Sequence, residues 1–154
     1  MRGTFKINSN EIEISFPPDA VLLDVLRLDG CPEVHRGCDE GVCGACSVLL
    51  NGDLVPSCHV LAASAIGSEI TTITALGSPN SPHPIQRAFV DSGAIQCGYC
   101  TPAMILAAYA LLKNNKNPTE EDIKTALDGI ICRCSGYVKI MEAVKLASNY
   151  WRDR

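Results

Sequence analysis

Residues 37–58 read GCDEGVCGACSVLLNGDLVPSC, and the fold turns on this stretch. Cys38, Cys43 and Cys46 have the spacing C-x4-C-x2-C, and Cys58 follows after eleven residues. Gly37, Gly41, Gly44 and Ala45 have no side chain or only a methyl, so the loop backbone can wrap tightly and turn N–H groups toward sulfur. This is the plant-type ligand spacing of a [2Fe–2S] cluster, in which each tetrahedral iron takes two protein sulfurs. A structural zinc site with four cysteines is the alternative, although zinc motifs more often show two C-x2-C knuckles. His35 and His59 flank the motif without the pairing that a two-histidine Rieske centre needs. They read as surface or hydrogen-bonding histidines.

Outward from the motif, the apolar pattern is that of a small α+β unit. Phe5 and Ile7, then Ile12, Ile14 and Phe16, alternate with polar residues around Ser9-Asn10, as in a half-buried hairpin. A second hairpin is expected from Cys46 to Val55, turning at Asn51-Gly52, and residues 20–28 carry helical spacing. Residues 77–84, GSPNSPHP, hold three prolines and no large apolar side chain, which suits an interdomain linker. Domains are therefore expected at 1–76 and 85–154, with 77–84 between them.

The second half is dominated by helix signals. A short helix is expected near 85–92. Thr101 can cap another that starts at Pro102, and residues 103–112 are apolar on nearly every face. A third helix should start at Thr119 with Asp122 completing a capping box, presenting Ile123, Leu127, Ile130 and Ile131 on one side. The last carries Tyr137, Ile140, Met141, Val144 and Trp151. About four helices imply a bundle.

Two cysteine pairs lie at the expected starts of these helices: Cys97 and Cys100 as C-x2-C, Cys132 and Cys134 as C-x-C. Unpaired N–H groups and the positive dipole end there favour anionic thiolates. A second iron–sulfur cluster is the preferred reading. By spacing alone, zinc or a thiol redox pair stays open. Cys31, the ninth cysteine, reads as a small buried hydrophobe.

The chain has 154 residues and a net charge of −4, from 17 acidic and 13 basic residues without a basic cluster. This argues against binding to nucleic acid or an anionic membrane. Its longest apolar stretch, 102–112, is too short to span a bilayer. The opening MRGTFKINSNEIEI lacks the apolar core of a signal peptide, so a cytoplasmic location is expected. Clustered cysteines in a reducing compartment are more often metal ligands than disulfides. No Ser/His/Asp order, Walker loop or G-x-G-x-x-G after a strand is visible, so no catalytic residue is assigned.

Taken together, residues 37–58, AIQCGYCTPAMI at 94–105 and ICRCSGY at 131–137 resemble the iron–sulfur subunit of the molybdenum hydroxylases, the xanthine dehydrogenase, aldehyde oxidoreductase, nicotinate dehydrogenase and aerobic CO dehydrogenase family. The resemblance implies a ferredoxin-like β-grasp domain followed by an all-α four-helix bundle. It implies [2Fe–2S] clusters on Cys38, Cys43, Cys46 and Cys58 and on Cys97, Cys100, Cys132 and Cys134. It further implies an oxidoreductase subunit that relays electrons from a molybdopterin centre through both clusters to FAD or another acceptor. Molybdopterin would sit on a large partner subunit and FAD on a medium one, in a hetero-oligomer such as a dimer of heterotrimers. Gln96 and the backbone around Cys134 are expected near the pterin. Val42, Ile130 and Ser135 depart from the residues common in that family at those positions. Two other classes of function compete: a free-standing two-cluster ferredoxin, and a zinc-stapled interaction module.

Overall fold

The computed structural model describes residues 1–152. Among these, strands fall before residue 72, and four of five α-helices fall after residue 83. β1 (Arg2–Ile7) and β2 (Asn10–Ser15) form the first hairpin, with Arg2 opposite Ser15 and Ile7 opposite Asn10. Its two-residue turn is Asn8-Ser9, both at positive φ, which matches the twist of the flanking strands. The turn thus lies one residue earlier than the apolar alternation suggests. β3 (Ser47–Leu50) and β4 (Asp53–Pro56) form the second hairpin, turning at Asn51-Gly52 as expected. β5 (Glu69–Thr71) runs parallel to β1 and antiparallel to β3, which gives a mixed sheet in the order β2-β1-β5-β3-β4. α1 (Leu22–Leu28) buries Leu22, Leu23, Val25 and Leu26 against the sheet residues Phe5, Ile7, Val48 and Ile70.

The helices α2 (Pro84–Asp91), α3 (Thr101–Asn114), α4 (Glu120–Leu127) and α5 (Val138–Arg152) enclose a second core. α3 lies inside it, with every residue from Ala103 to Ala108 buried. Leu54, Ile73 and Leu76 from the strand-rich half pack on this core, so the two halves share an apolar seam. Between them, residues 77–84 include a tight turn in which Ser78 and Ser81 exchange two backbone hydrogen bonds of 3.1 Å. His83 then caps α2 and packs edge-on against Tyr109 and Trp151.

Three local expectations are corrected. α3 begins at Thr101 with Cys100 as its N-cap, because the Cys100 carbonyl already accepts from Met104 N–H. α4 ends at Leu127, so Ile130 reaches the core by a turn, whereas Ile131 is 52% exposed. Tyr137 precedes α5 and has φ +68°, so it does not belong to the helical stripe. The capping box of Thr119 and Asp122 forms as expected.

These packing differences set the expected cost of truncation. Leu112→Ala, in the fully buried helical core, should destabilise by about 2–5 kcal/mol. Leu28→Ala, at a side chain 84% exposed, should change stability by no more than about 0.5 kcal/mol. Denaturant titration of the two variants checks the contrast.

Candidate metal centres

The eight motif cysteines gather into two groups of four, and within each group the thiols meet two by two. In the first, Cys38 is hydrogen bonded to Cys43 and Cys46 to Cys58. The β3–β4 ladder explains the second pair, since Cys46 immediately precedes β3 and Cys58 lies in the short 3-10 turn after β4. Buried Ser57 locks them together: its hydroxyl donates to the Cys46 carbonyl at 2.7 Å, and its N–H donates to the same oxygen. The first pair lies on the glycine-rich loop. Cys38 sulfur accepts hydrogen bonds from the Cys43 thiol and from the N–H groups of Cys43, Glu40 and Val42, which lower its pKa to about 7. Burial pushes Cys58 up to about 11 and also raises Cys43.

In the second group, Cys134 Sγ lies 3.6 Å from Cys97 Sγ, and Cys100 is hydrogen bonded to Cys132. The pairing is nested, outer cysteine with outer and inner with inner, as two antiparallel segments require. Burial raises Cys100 to about 12. Burial also raises Cys132, but hydrogen bonds from the Ser135 hydroxyl, from the N–H groups of Ser135 and Cys134, and from the Cys100 thiol outweigh it and bring the group to about 7. Ser135 Oγ lies 3.1 Å from Cys132 Sγ, so this departure from the common threonine keeps a hydroxyl at the sulfur. Ile130 is buried in the helical core, and Val42, on the first loop, is 61% exposed.

The two groups differ in enclosure. Cys46 is buried and its three companions half-buried, whereas Cys97 and Cys134 face solvent. Gln96 stands on that open side and donates to the Cys134 carbonyl at 3.4 Å. Both positions expected near a pterin are thus together. The loops of the two groups touch directly. Ile131 N–H donates to the Cys43 carbonyl at 2.9 Å, and a Cβ on Gly44 would lie 2.1 Å from the Gly129 carbonyl oxygen. A cavity of about 210 Å³ lies between them, lined by Gly37, Cys43, Ala45, Tyr99, Cys100 and Cys132 among others. Cys31 stays apart and is buried; desolvation, with Glu33 and Asp29 nearby, raises it to about 11.

Tyr137 is a functional residue that periodicity hides. Its hydroxyl donates to the Ile130 carbonyl at 3.2 Å and accepts from Cys132 N–H at 3.0 Å, bracing the C-x-C turn. A bulky residue at positive φ costs about 1–3 kcal/mol unless its surroundings hold it there. The nearest signal in the sequence is Gly136 before it, itself at positive φ, which marks a turn rather than a helix start. Tyr137→Phe removes the partner of Cys132 N–H and should destabilise by about 1–3 kcal/mol. Thermal melting together with metal analysis of the second group checks this.

Comparison with known proteins agrees with the two-site arrangement. The model of a 2Fe-2S iron-sulfur cluster binding domain matches residues 5–69, and that of a [2Fe-2S] binding domain matches residues 72–145. The chain is 47% identical over 142 residues to the nicotinate dehydrogenase small FeS subunit of Eubacterium barkeri, covering 92% of this chain and 90% of that one. It is 40% identical to the xanthine dehydrogenase iron-sulfur-binding subunit of Escherichia coli O157:H7, covering 90% and 88%. Among solved structures, quinoline 2-oxidoreductase from Pseudomonas putida 86 superposes with a TM-score of 0.92 at 33% identity, covering 99% of this chain and 96% of that one. Aldehyde oxidoreductase from Desulfovibrio desulfuricans ATCC 27774 gives 0.94 at 37% identity, where this chain spans 17% of the longer polypeptide. Likeness of this extent, over both cysteine groups and nearly the full length of dedicated small subunits, means that the chain belongs to the family of iron–sulfur subunits of the molybdenum hydroxylases.

Proposed function

We propose that the chain is the electron-relay subunit of a molybdenum hydroxylase. Cys38, Cys43, Cys46 and Cys58 hold one [2Fe–2S] cluster, and Cys97, Cys100, Cys132 and Cys134 hold the other. The observation that carries this reading is the two-by-two meeting of the thiols. Two irons with two protein sulfurs each need that arrangement, whereas a single zinc needs four donors about one point. When bound, the clusters supply one-electron carriage at two sites.

The chain's own residues divide the remaining work. N–H groups of Glu40, Val42 and Cys43 aimed at Cys38 sulfur favour negative charge there, as the hydroxyl and N–H of Ser135 do at Cys132 sulfur, while Tyr137 holds the Cys132 backbone. The exposed face with Ile95, Gln96, Cys97 and Cys134 suits a molybdopterin-binding large subunit, where Gln96 and the Cys134 backbone would contact the cofactor. An FAD-binding medium subunit would complete a hetero-oligomer, for example a dimer of heterotrimers. Substrate oxidation then belongs to a partner chain, and the relatives named for nicotinate and xanthine support that division of labour. The mixed sheet with α1 reads as a β-grasp domain over 1–76. Residues 77–84, the last of which already opens α2, link it to a bundle domain expected over 85–154, whose four helices among the described residues are α2 to α5. None of the helices among the described residues is long and apolar enough to cross a membrane.

Iron and labile-sulfide analysis of the native complex should give about four of each per chain, and reduction should give two distinguishable paramagnetic signals. Zinc in place of iron, or elution of the chain alone in gel filtration, would sink the reading. Cys134→Ser should remove one signal, keep the other, and stop substrate-driven reduction of the flavin. Unchanged turnover in that variant would exclude the second group from the relay.

A further inference from the structure

Each half of the second cysteine group is tied to a different end of the first loop. The C-x-C half is tied through Ile131 N–H and the Cys43 carbonyl. The C-x2-C half is tied through Tyr99, which stands between Cys97 and Cys100 and reaches the segment just before Cys38. The Tyr99 hydroxyl donates to the Arg36 carbonyl at 2.7 Å. Its own carbonyl lies 2.7 Å from His35 Nδ1. A carbonyl can only accept, so His35 carries its proton on Nδ1. The two rings stack, with centroids 4.4 Å apart and planes 16° from parallel. Tyr99 is therefore held at its ring, its hydroxyl and its backbone by two consecutive residues.

The segment it grips is itself anchored. Arg27, on α1, donates to the Pro32 and Val34 carbonyls at 3.1 and 2.8 Å. The Arg36 guanidinium pairs with Asp24 on α1 and, at 3.0 Å, with Asp39. On the other side, Tyr99 immediately precedes Cys100, the N-cap of buried α3. The connection thus runs from α1 through residues 32–36 and Tyr99 into α3, and passes beside both cysteine groups. Tyr99 is 46% exposed, so the contact adds little to either apolar core. Core packing does not explain why so many directed contacts converge on one accessible side chain.

We propose that Tyr99 and His35 are positioning residues, a clasp that fixes the second cysteine group on the first and so sets the separation of the two electron carriers. The proposal rests on both groups holding iron, as argued above. Electron transfer between fixed centres falls steeply with separation, so a clasp that removes play between the groups serves the relay without touching either metal.

The test uses the assembled enzyme, fully reduced, with iron content and the magnetic coupling between the two reduced centres read together. In the unaltered enzyme, two signals with mutual splitting are expected; their absence would overturn the two-cluster reading itself. Tyr99→Leu and His35→Ala should each keep full iron content and the intrinsic shape of both signals, while the splitting broadens or disappears and electron equilibration between the centres slows. Tyr99→Phe, which keeps the stack and loses one hydrogen bond, should fall between. Unchanged splitting in both Tyr99→Leu and His35→Ala overturns the proposal. Should Tyr99→Leu shed iron from the second group, His35→Ala decides alone, because it leaves the C-x2-C segment intact.

Discussion

Two loops that carry cysteines come within direct backbone contact, and the rest of the molecule is arranged around that approach. Gly44 makes it possible. Its φ of +66° suits a residue without a side chain, and a Cβ there would lie 2.1 Å from the Gly129 carbonyl oxygen. With the Cβ absent, Ile131 N–H can reach the Cys43 carbonyl and place Cys132 against the first loop. The apolar seam of Leu54, Ile73 and Leu76 on the helical core then holds the approach from behind. Hydrophobic burial supplies the attraction, and the glycine decides how close it can bring the two backbones.

The two cysteine groups share a pairing scheme yet sit in different surroundings. The first is enclosed by its own loop and by the β3–β4 hairpin, with N–H donors directed at Cys38. The second straddles the starts of two helical segments and opens to solvent through Cys97 and Cys134. In each, a thiol brought to about 7 by hydrogen bonds stands beside one raised by burial, Cys38 with Cys43 and Cys132 with Cys100. The second group, open to solvent, is the one that a neighbouring molecule can reach without displacing protein.

Much of this was legible in the amino-acid order. Both hairpins, the helical spacing at residues 20–28, the Thr119 capping box and the buried character of residues 103–112 follow from local pattern; the structure places the hairpins and the helix within a residue or two and buries 103–108 and Leu112, with 109–111 half-buried. Two of the departures share one cause. Ile131 and Tyr137 sit at helical intervals from true helix residues, yet both lie in the turns around Cys132 and Cys134. Periodicity counts side chains on a cylinder and cannot register that the chain leaves it. Tyr137 holds a positive φ because its hydroxyl braces Ile130 and Cys132, a contact that a hydrophobic pattern does not encode. His35 likewise reads as an ordinary surface histidine until Tyr99 is seen stacked on it.

The order of residues alone carries the number of cysteines in each motif, their spacing, the glycines that let the first loop wrap, and the change from strand to helix signals near residue 77. These are properties of a few neighbouring residues, and covalent geometry with local backbone preference is enough to specify them. Folding in three dimensions settles which thiol meets which across 37 residues, that the two groups touch through Cys43 and Ile131, and that Tyr99 closes on residues 35 and 36. Contacts between segments so far apart in the chain depend on how two apolar cores dock. That docking is settled by the summed burial of many side chains, not by any short stretch of the chain.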